Sequence, residues 1–263
     1  MNILDFQNKK NNQEKISMIT CYDYTSACML AKTSVDCLLV GDTVAMTIHG
    51  FKDTVAATID MMALHTAAVS RGAGNKFIVG DLPFLSYRKS FSSSIAAAQV
   101  LMQAGANAIK LEGAAGNLKI IRHLTESGVP VMGHLGLTPQ SIHLLGGFKV
   151  QGKTNESAQR LQEAALALQA AGCFALVLEC VPSQLAEKIT KALVIPTIGI
   201  GAGPATDGQV LVYQDLLGLQ TEFKPKFLKV YVEGAKHFSN GIESFVNEVK
   251  NGEFPQDEHC YKS

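Results

Sequence analysis

Short apolar runs alternate along this chain with longer stretches of helical periodicity. Asp36 to Gly41, DCLLVG, has an unbroken apolar centre, as a strand buried on both faces of a parallel sheet requires. Ser17–Cys21, Phe77–Gly80, Ala108–Glu112, Val129–Gly133, the run ending at Glu179, Val194–Ile200 and Gln209–Tyr213 read the same way. Between them the pattern predicts helices to about Ala31, over 59–71, from Ser90 to Gly105, and over 116–127, 155–171 and 182–192. Asp23 and the serines at 90–94 suit helix starts, and Gly105 and Gly128 suit helix ends.

Strand and helix alternate about eight times with no linker between them. That favours one (β/α)8 TIM barrel with parallel strands over a doubly wound sheet, and 263 residues is an ordinary length for it. The expected organisation is a single barrel domain over 1–263, with 222–263 as a helical C-terminal extension, helical at 226–250 and then polar. The segment 136–153 is glycine-rich and too long for a simple βα turn, so it reads as a functional loop over the barrel mouth. One sentence occurs twice: AGANAIKLEG at 104–113 and AGCFALVLEC at 171–180, where Glu179 aligns with Glu112 and Val177 with Lys110.

Composition narrows the partners. Lys+Arg and Asp+Glu balance at 23 each, which gives no reason to expect nucleic acid or an anionic membrane. The six cysteines include no CxxC, so reduced, largely buried thiols are expected. The N-terminus is too polar for a signal peptide, and no apolar run reaches membrane-spanning length, so a cytoplasmic location is expected.

Candidate chemistry gathers at the carboxyl ends of the strands, where barrels of this kind place their sites. Asp42, Asp81, Lys110, Glu112, His134 and Glu179 all stand there. Any one of these acids could simply cap the next helix. Four together would repel, and Mg2+ held by one or two carboxylates and waters resolves that repulsion. Lys110 could form a Schiff base, or stay charged and offset the acids or an enolate. Lys110 and Glu112 are two apart and so share a face. His134 could be a core histidine, but the glycines beside it argue for an exposed position close to backbone. Glu179 has few polar neighbours on its strand, so desolvation would raise its pKa and suit it to general-base work; a metal ligand or a structural ion pair is the other reading. The run Gly199–Gly203 fits a loose phosphate loop or close backbone packing. His49 and His65 carry no assigned role.

Taken in order, a set of blocks resembles one family: TCYDYTSA (20–27), LLVGDTVAMTIHG (38–50), HTAAVSRGA (65–73), GDLPF (80–84), AGANAIKLEG (104–113), GHLGLTPQS (133–141), GGFKVQG (146–152), LVLECVP (176–182) and IGIGAGPATDGQVLV (198–212). They cover nearly the whole chain and resemble the ketopantoate hydroxymethyltransferases. The resemblance implies a Mg2+-dependent aldol-type reaction of 3-methyl-2-oxobutanoate with 5,10-methylenetetrahydrofolate, giving ketopantoate for pantothenate synthesis. It implies metal contacts at Asp42, Asp81 and Glu112, substrate contacts at Asp42, Thr43, Asp81 and Lys110, a place for His134 beside the substrate, and Glu179 as proton acceptor. Position 43 departs from the family pattern, which often has serine; Thr43 keeps the hydroxyl and adds a methyl. The family commonly forms decamers, so a homo-oligomer is expected. The competing readings are a Schiff-base aldolase on Lys110, a Mg2+-dependent lyase or mutase of the phosphoenolpyruvate mutase or isocitrate lyase type, and a non-catalytic barrel.

Overall fold

The computed structural model describes residues 1–220 and 224–262. Eight parallel strands close in sequence order: β1 (Ile16–Thr20), β2 (Cys37–Val40), β3 (Phe77–Asp81), β4 (Ala108–Glu112), β5 (Val131–Gly136), β6 (Ala175–Glu179), β7 (Thr197–Ile200) and β8 (Gly208–Leu211). β1 pairs with both β2 and β8, so the barrel has no open edge. By internal contacts the chain divides into Met1–Val212, which holds the whole barrel, and Tyr213–Ser263.

Strand alternation builds the interior in layers. Met18, Cys37, Leu39, Phe77, Val79, Ala108, Met132, Ala175, Val177, Ile198 and Val210 form one buried cluster inside the ring. The intervening residues, such as Ile78, Ile109, Leu111, Leu176 and Leu178, are equally buried and face the outer helices. The amino end of the barrel is plugged by the helix Ile3–Asn11, whose Phe6 is fully buried with its ring centroid 5.2 Å from those of Phe77 and Phe174. The outer helices begin where side chains can cap them: Asp23 accepts from the Ser26 amide at 2.8 Å, and Thr58, Ser90 and Thr154 do the same for their helices.

Several boundaries differ from expectation for local reasons. β5 begins after Pro130 and runs on through His134, because the proline carbonyl still accepts the Ile109 amide while its nitrogen has no proton to give. β7 begins after Pro196. No helix separates β7 from β8; residues 201–207 cross over as a glycine-assisted turn. There Gly203 takes φ +82, and a side chain on it would strike Ser183. A Cβ on Gly199 would come within 2.7 Å of the Thr206 hydroxyl. The glycine run thus serves close packing.

In the second unit the expected helix over 226–250 begins later and spans Gly234–Asn251. The Gly234 amide is taken by the Leu217 carbonyl, which ends the preceding turns at that point. Residues 221–223, which include the expected start of the extension at 222, lie outside the described residues. No helix among the described residues is long and apolar enough to cross a membrane.

Candidate active site

The same alternation that fills the core places polar groups in its topmost layer. On β4 the inward series is Ala108, Lys110, Glu112, so the lysine and the glutamate sit directly above core. The register sets Asp81 of β3 beside Lys110, Glu112 beside His134 of β5, and Gly136 beside Glu179 of β6. Asp42 follows β2, and its amide donates to Asp81 Oδ2 at 3.2 Å. All six strand-end residues singled out in the sequence therefore meet in one mouth.

Lys110 is the centre of this group. Its Nζ lies 2.8 Å from Asp81 Oδ2, 4.0 Å from Glu112 Oε1 and 3.4 Å from His134 Nδ1. Burial alone would lower the lysine's pKa, but Asp81, Glu112 and Asp42 together raise it, so the ammonium stays charged. A permanently charged amine is a poor nucleophile, which weighs against Schiff-base chemistry. Burial, Asp81 and Glu112 hold the Asp42 carboxyl well above its usual range. Asp81 is raised as well, chiefly by burial, with Lys110 opposing.

His134 links the two repeated glutamates. Its Nδ1 is 3.4 Å from Glu112 Oε1 and its Nε2 is 3.3 Å from Glu179 Oε2; these are ion-pair contacts without hydrogen-bond alignment at Nε2. Burial and Lys110 pull the imidazole's pKa down, but Glu112 and Glu179 outweigh them and push it up to about 9. One expectation changes here: His134 is fully buried inside a strand, as the core reading has it, and not exposed. Glu179 has a cation beside it, supplied from the neighbouring strand; with 18% of its side chain accessible, it is the most open acid of the group named in these ion pairs. Gly136 makes the close approach possible: at φ +97, any side chain there would collide with the Glu179 carbonyl.

Each buried acid of the β3–β4 pair commits one oxygen to the protein. Asp81 Oδ2 takes Lys110 and the Asp42 amide, and Glu112 Oε2 takes the Gln140 amide at 3.1 Å. Asp81 Oδ1 and Glu112 Oε1 are buried with no hydrogen-bond partner. Orphaned carboxylate oxygens are costly unless something binds them, and hard oxygen donors suit Mg2+. Among the described residues no three His, Cys, Asp or Glu side chains converge tightly enough to enclose an ion by themselves. That suits a cation completed by water and substrate oxygens.

Several functional neighbours were not singled out from the sequence. Gln140, in the loop after β5, donates from Nε2 to Asp42 Oδ2 at 2.8 Å and to the Leu82 carbonyl at 2.9 Å. The Tyr87 hydroxyl donates to Gln140 Oε1 at 2.7 Å. Asn117 donates to the Glu112 and Gly113 carbonyls, both at 2.9 Å. The only sequence signal for Gln140 was its place in the GHLGLTPQS block. Thr43 lies beside Asp42 in the chain, and its hydroxyl shares a 2.6 Å hydrogen bond with buried Tyr22. His49 and His65 touch through their Nε2 atoms at 2.9 Å, and His65 Nδ1 lies 2.6 Å from the Tyr22 carbonyl. The loop 137–145 carries two short helical turns, and His143 reaches Asp53 in the loop after β2 at 3.2 Å.

A closed parallel barrel with charged groups packed into its carboxyl-end mouth defines the chain as a (β/α)8 enzyme. A model of the family described as ketopantoate hydroxymethyltransferase matches residues 1–257. The protein named 3-methyl-2-oxobutanoate hydroxymethyltransferase in Coxiella burnetii (strain CbuG_Q212) is 59% identical over 263 residues, covering 99% of each chain. Its namesake in Legionella pneumophila (strain Lens) is 55% identical, over 99% of this chain and all of the other. Solved structures share the fold at much lower identity. A phosphoenolpyruvate phosphomutase from Streptomyces platensis subsp. rosaceus aligns at TM-score 0.64 with 11% identity, over 100% of this chain and 92% of the other. A phosphonopyruvate hydrolase, solved with oxalate and Mg2+, aligns at TM-score 0.63 with 10% identity and the same coverage. The chain belongs to the ketopantoate hydroxymethyltransferase family, and it is a hydroxymethyltransferase.

Proposed function

We propose that this enzyme transfers a hydroxymethyl group from 5,10-methylenetetrahydrofolate to 3-methyl-2-oxobutanoate, giving ketopantoate for pantothenate and coenzyme A synthesis. The observation that carries this reading is a buried, charged Lys110 held against Asp81, with Glu179 across His134 in the same mouth. Asp42, Asp81 and Glu112 would hold Mg2+, which when bound polarises the keto group of a 2-oxo acid. The orphaned oxygens of Asp81 and Glu112 support that assignment, as does the oxalate and Mg2+ carried by the phosphonopyruvate hydrolase of like fold.

The chain's own residues then divide the work. Glu179, the more open carboxylate, takes the proton from C3 of the keto acid. Lys110 stands where negative charge develops on the keto oxygen, and its fixed position means that no reorganisation is needed as the charge appears. His134 holds Glu179 toward the mouth through Nε2. Asp42 and the Thr43 hydroxyl line the substrate's side of the site. The C3–H bond breaks, a new C–C bond forms to the one-carbon unit, and water supplies the hydroxyl oxygen; the carbon's bonds to the two folate nitrogens break, and tetrahydrofolate leaves carrying the proton taken from C3 and one from the water. The loop 137–145 limits solvent entry. A cytoplasmic location goes with this reading, and the six thiols are free. Assembly with further copies, as a decamer by family resemblance, is supported by the helix Gly234–Asn251, where Phe238, Ile242, Phe245 and Val249 form one exposed apolar stripe.

The test is Glu179→Gln. NMR of 3-methyl-2-oxobutanoate in D2O with Mg2+ should show C3 exchange falling by about 10²-fold or more, with keto-acid binding kept. Exchange at the wild-type rate would remove Glu179 from the role. A lyase or mutase of the phosphoenolpyruvate mutase type would instead turn over substrate without folate.

A further inference from the structure

Gln140 is 5% exposed, and its side chain and backbone amide together touch the ends of three different strands. Its Nε2 donates to Asp42 after β2 and to the Leu82 carbonyl after β3, its Oε1 accepts from Tyr87, and its backbone amide donates to Glu112 Oε2 on β4. Both amide protons and the carbonyl are therefore used. The assignment of the amide is unambiguous: turned over, its oxygen would face a carboxylate and a carbonyl, and its NH2 would face a hydroxyl donor. Tyr87 is itself fixed, because its hydroxyl also meets the Glu112 amide at 3.3 Å.

This arrangement has a directional consequence. Gln140 occupies Asp42 Oδ2 and Glu112 Oε2, while Glu112 Oε1 and Asp81 Oδ1 are left without hydrogen bonds. Asp42 and Glu112 repel, and they stand at the ends of β2 and β4, which do not pair with each other. The residue that spans them lies on the loop over the mouth.

We propose that Gln140 is a positioning residue: oriented by Tyr87, it sets the spacing and facing of Asp42 and Glu112 and so governs the affinity of the site for a divalent cation. The inference rests on the metal assignment proposed above and extends it to a residue that is not one of the proposed ligands but binds two of them. Partners of this kind, lying behind the ligands, are worth about 10- to 100-fold in metal affinity.

The experiment titrates Mn2+ alone into the full chain, with free Mn2+ read by EPR, and measures urea unfolding in parallel. Gln140→Met preserves length and removes the side-chain bonds; its Mn2+ Kd should rise by about 10- to 100-fold. Tyr87→Phe removes only the hydroxyl that orients Gln140, and should raise Kd by a smaller factor in the same direction. Asp81→Asn, a proposed ligand that Gln140 does not touch, should abolish binding. A loss of urea stability with unchanged Mn2+ affinity in both Gln140→Met and Tyr87→Phe would show a merely structural role and overturn the inference. If Gln140→Met fails to fold, Tyr87→Phe decides alone. Absence of Mn2+ binding by the wild type, or wild-type binding by Asp81→Asn, would overturn the metal assignment and this inference with it. Normal Gln140 and Tyr87 variants beside a non-binding Asp81→Asn would sink this inference only.

Discussion

Removing the Lys110 charge while keeping its bulk, by Lys110→Met, isolates the electrostatics of the mouth. At an effective dielectric near 20, attraction to Asp81 at 2.8 Å is worth about 6 kcal/mol and to Glu112 at 4.0 Å about 4 kcal/mol. Repulsion from charged His134 at 3.4 Å returns about 5 kcal/mol. The net attraction of roughly 5 kcal/mol is reduced by the desolvation that the lysine no longer suffers, and methionine packs well against the Ala108 layer below. The opposing carboxylates, however, remain buried with the Lys110 cation gone, so a loss of about 3 kcal/mol is expected, at the low end for breaking a buried pair. The assay is urea unfolding at pH 7 with EDTA, followed by far-UV circular dichroism. A loss below about 1 kcal/mol, the size of an ordinary surface change, would refute the reasoning. Asp81→Asn completes a double-mutant cycle. The paired substitutions should cost about 2 kcal/mol less than the sum of the single ones, and strict additivity would show that the 2.8 Å contact carries no energy.

Two further outcomes follow from the interior. Burial pushes the Cys173 thiol up to about 12 from 9.0, so above pH 9 the unfolded chain releases a proton that the folded chain keeps. Stability therefore falls as pH rises between 9 and 12, by about 1.4 kcal/mol per pH unit for this one group. Cys173→Ala should flatten the slope of unfolding free energy between pH 9.5 and 10.5 by roughly that amount, and equal slopes would contradict it. Phe6→Ala empties the plug between Phe77 and Phe174 and should cost about 3–5 kcal/mol in urea unfolding; a cost under about 1 kcal/mol would mean that the amino-terminal helix does not seal the barrel.

The barrel was legible because its signals are local. Apolar runs of strand length, helix caps such as Asp23 and stops such as Gly105 are written in neighbouring residues, and their alternation admits few folds. Boundaries beside Pro130 and Pro196 shifted by a few residues because pairing partners, not propensity, decide where a ladder begins. No helix was read between the seventh and eighth strands, and the glycine run there was open between a phosphate loop and close packing until Gly203 is seen against Ser183.

The site divides along the same line. The identities of Asp42, Asp81, Lys110, Glu112, His134 and Glu179, and their common position at strand ends, followed from the sequence by itself, because a parallel barrel brings every such end to one mouth. Which of them touch depends on register, and register is a property of paired strands. Only the tertiary structure set Asp81 beside Lys110 and Gly136 beside Glu179, so that His134 could reach across and give Glu179 a cation its own strand lacks. Only the fold, too, carried Gln140 from a loop 98 residues along the chain to the side of Asp42.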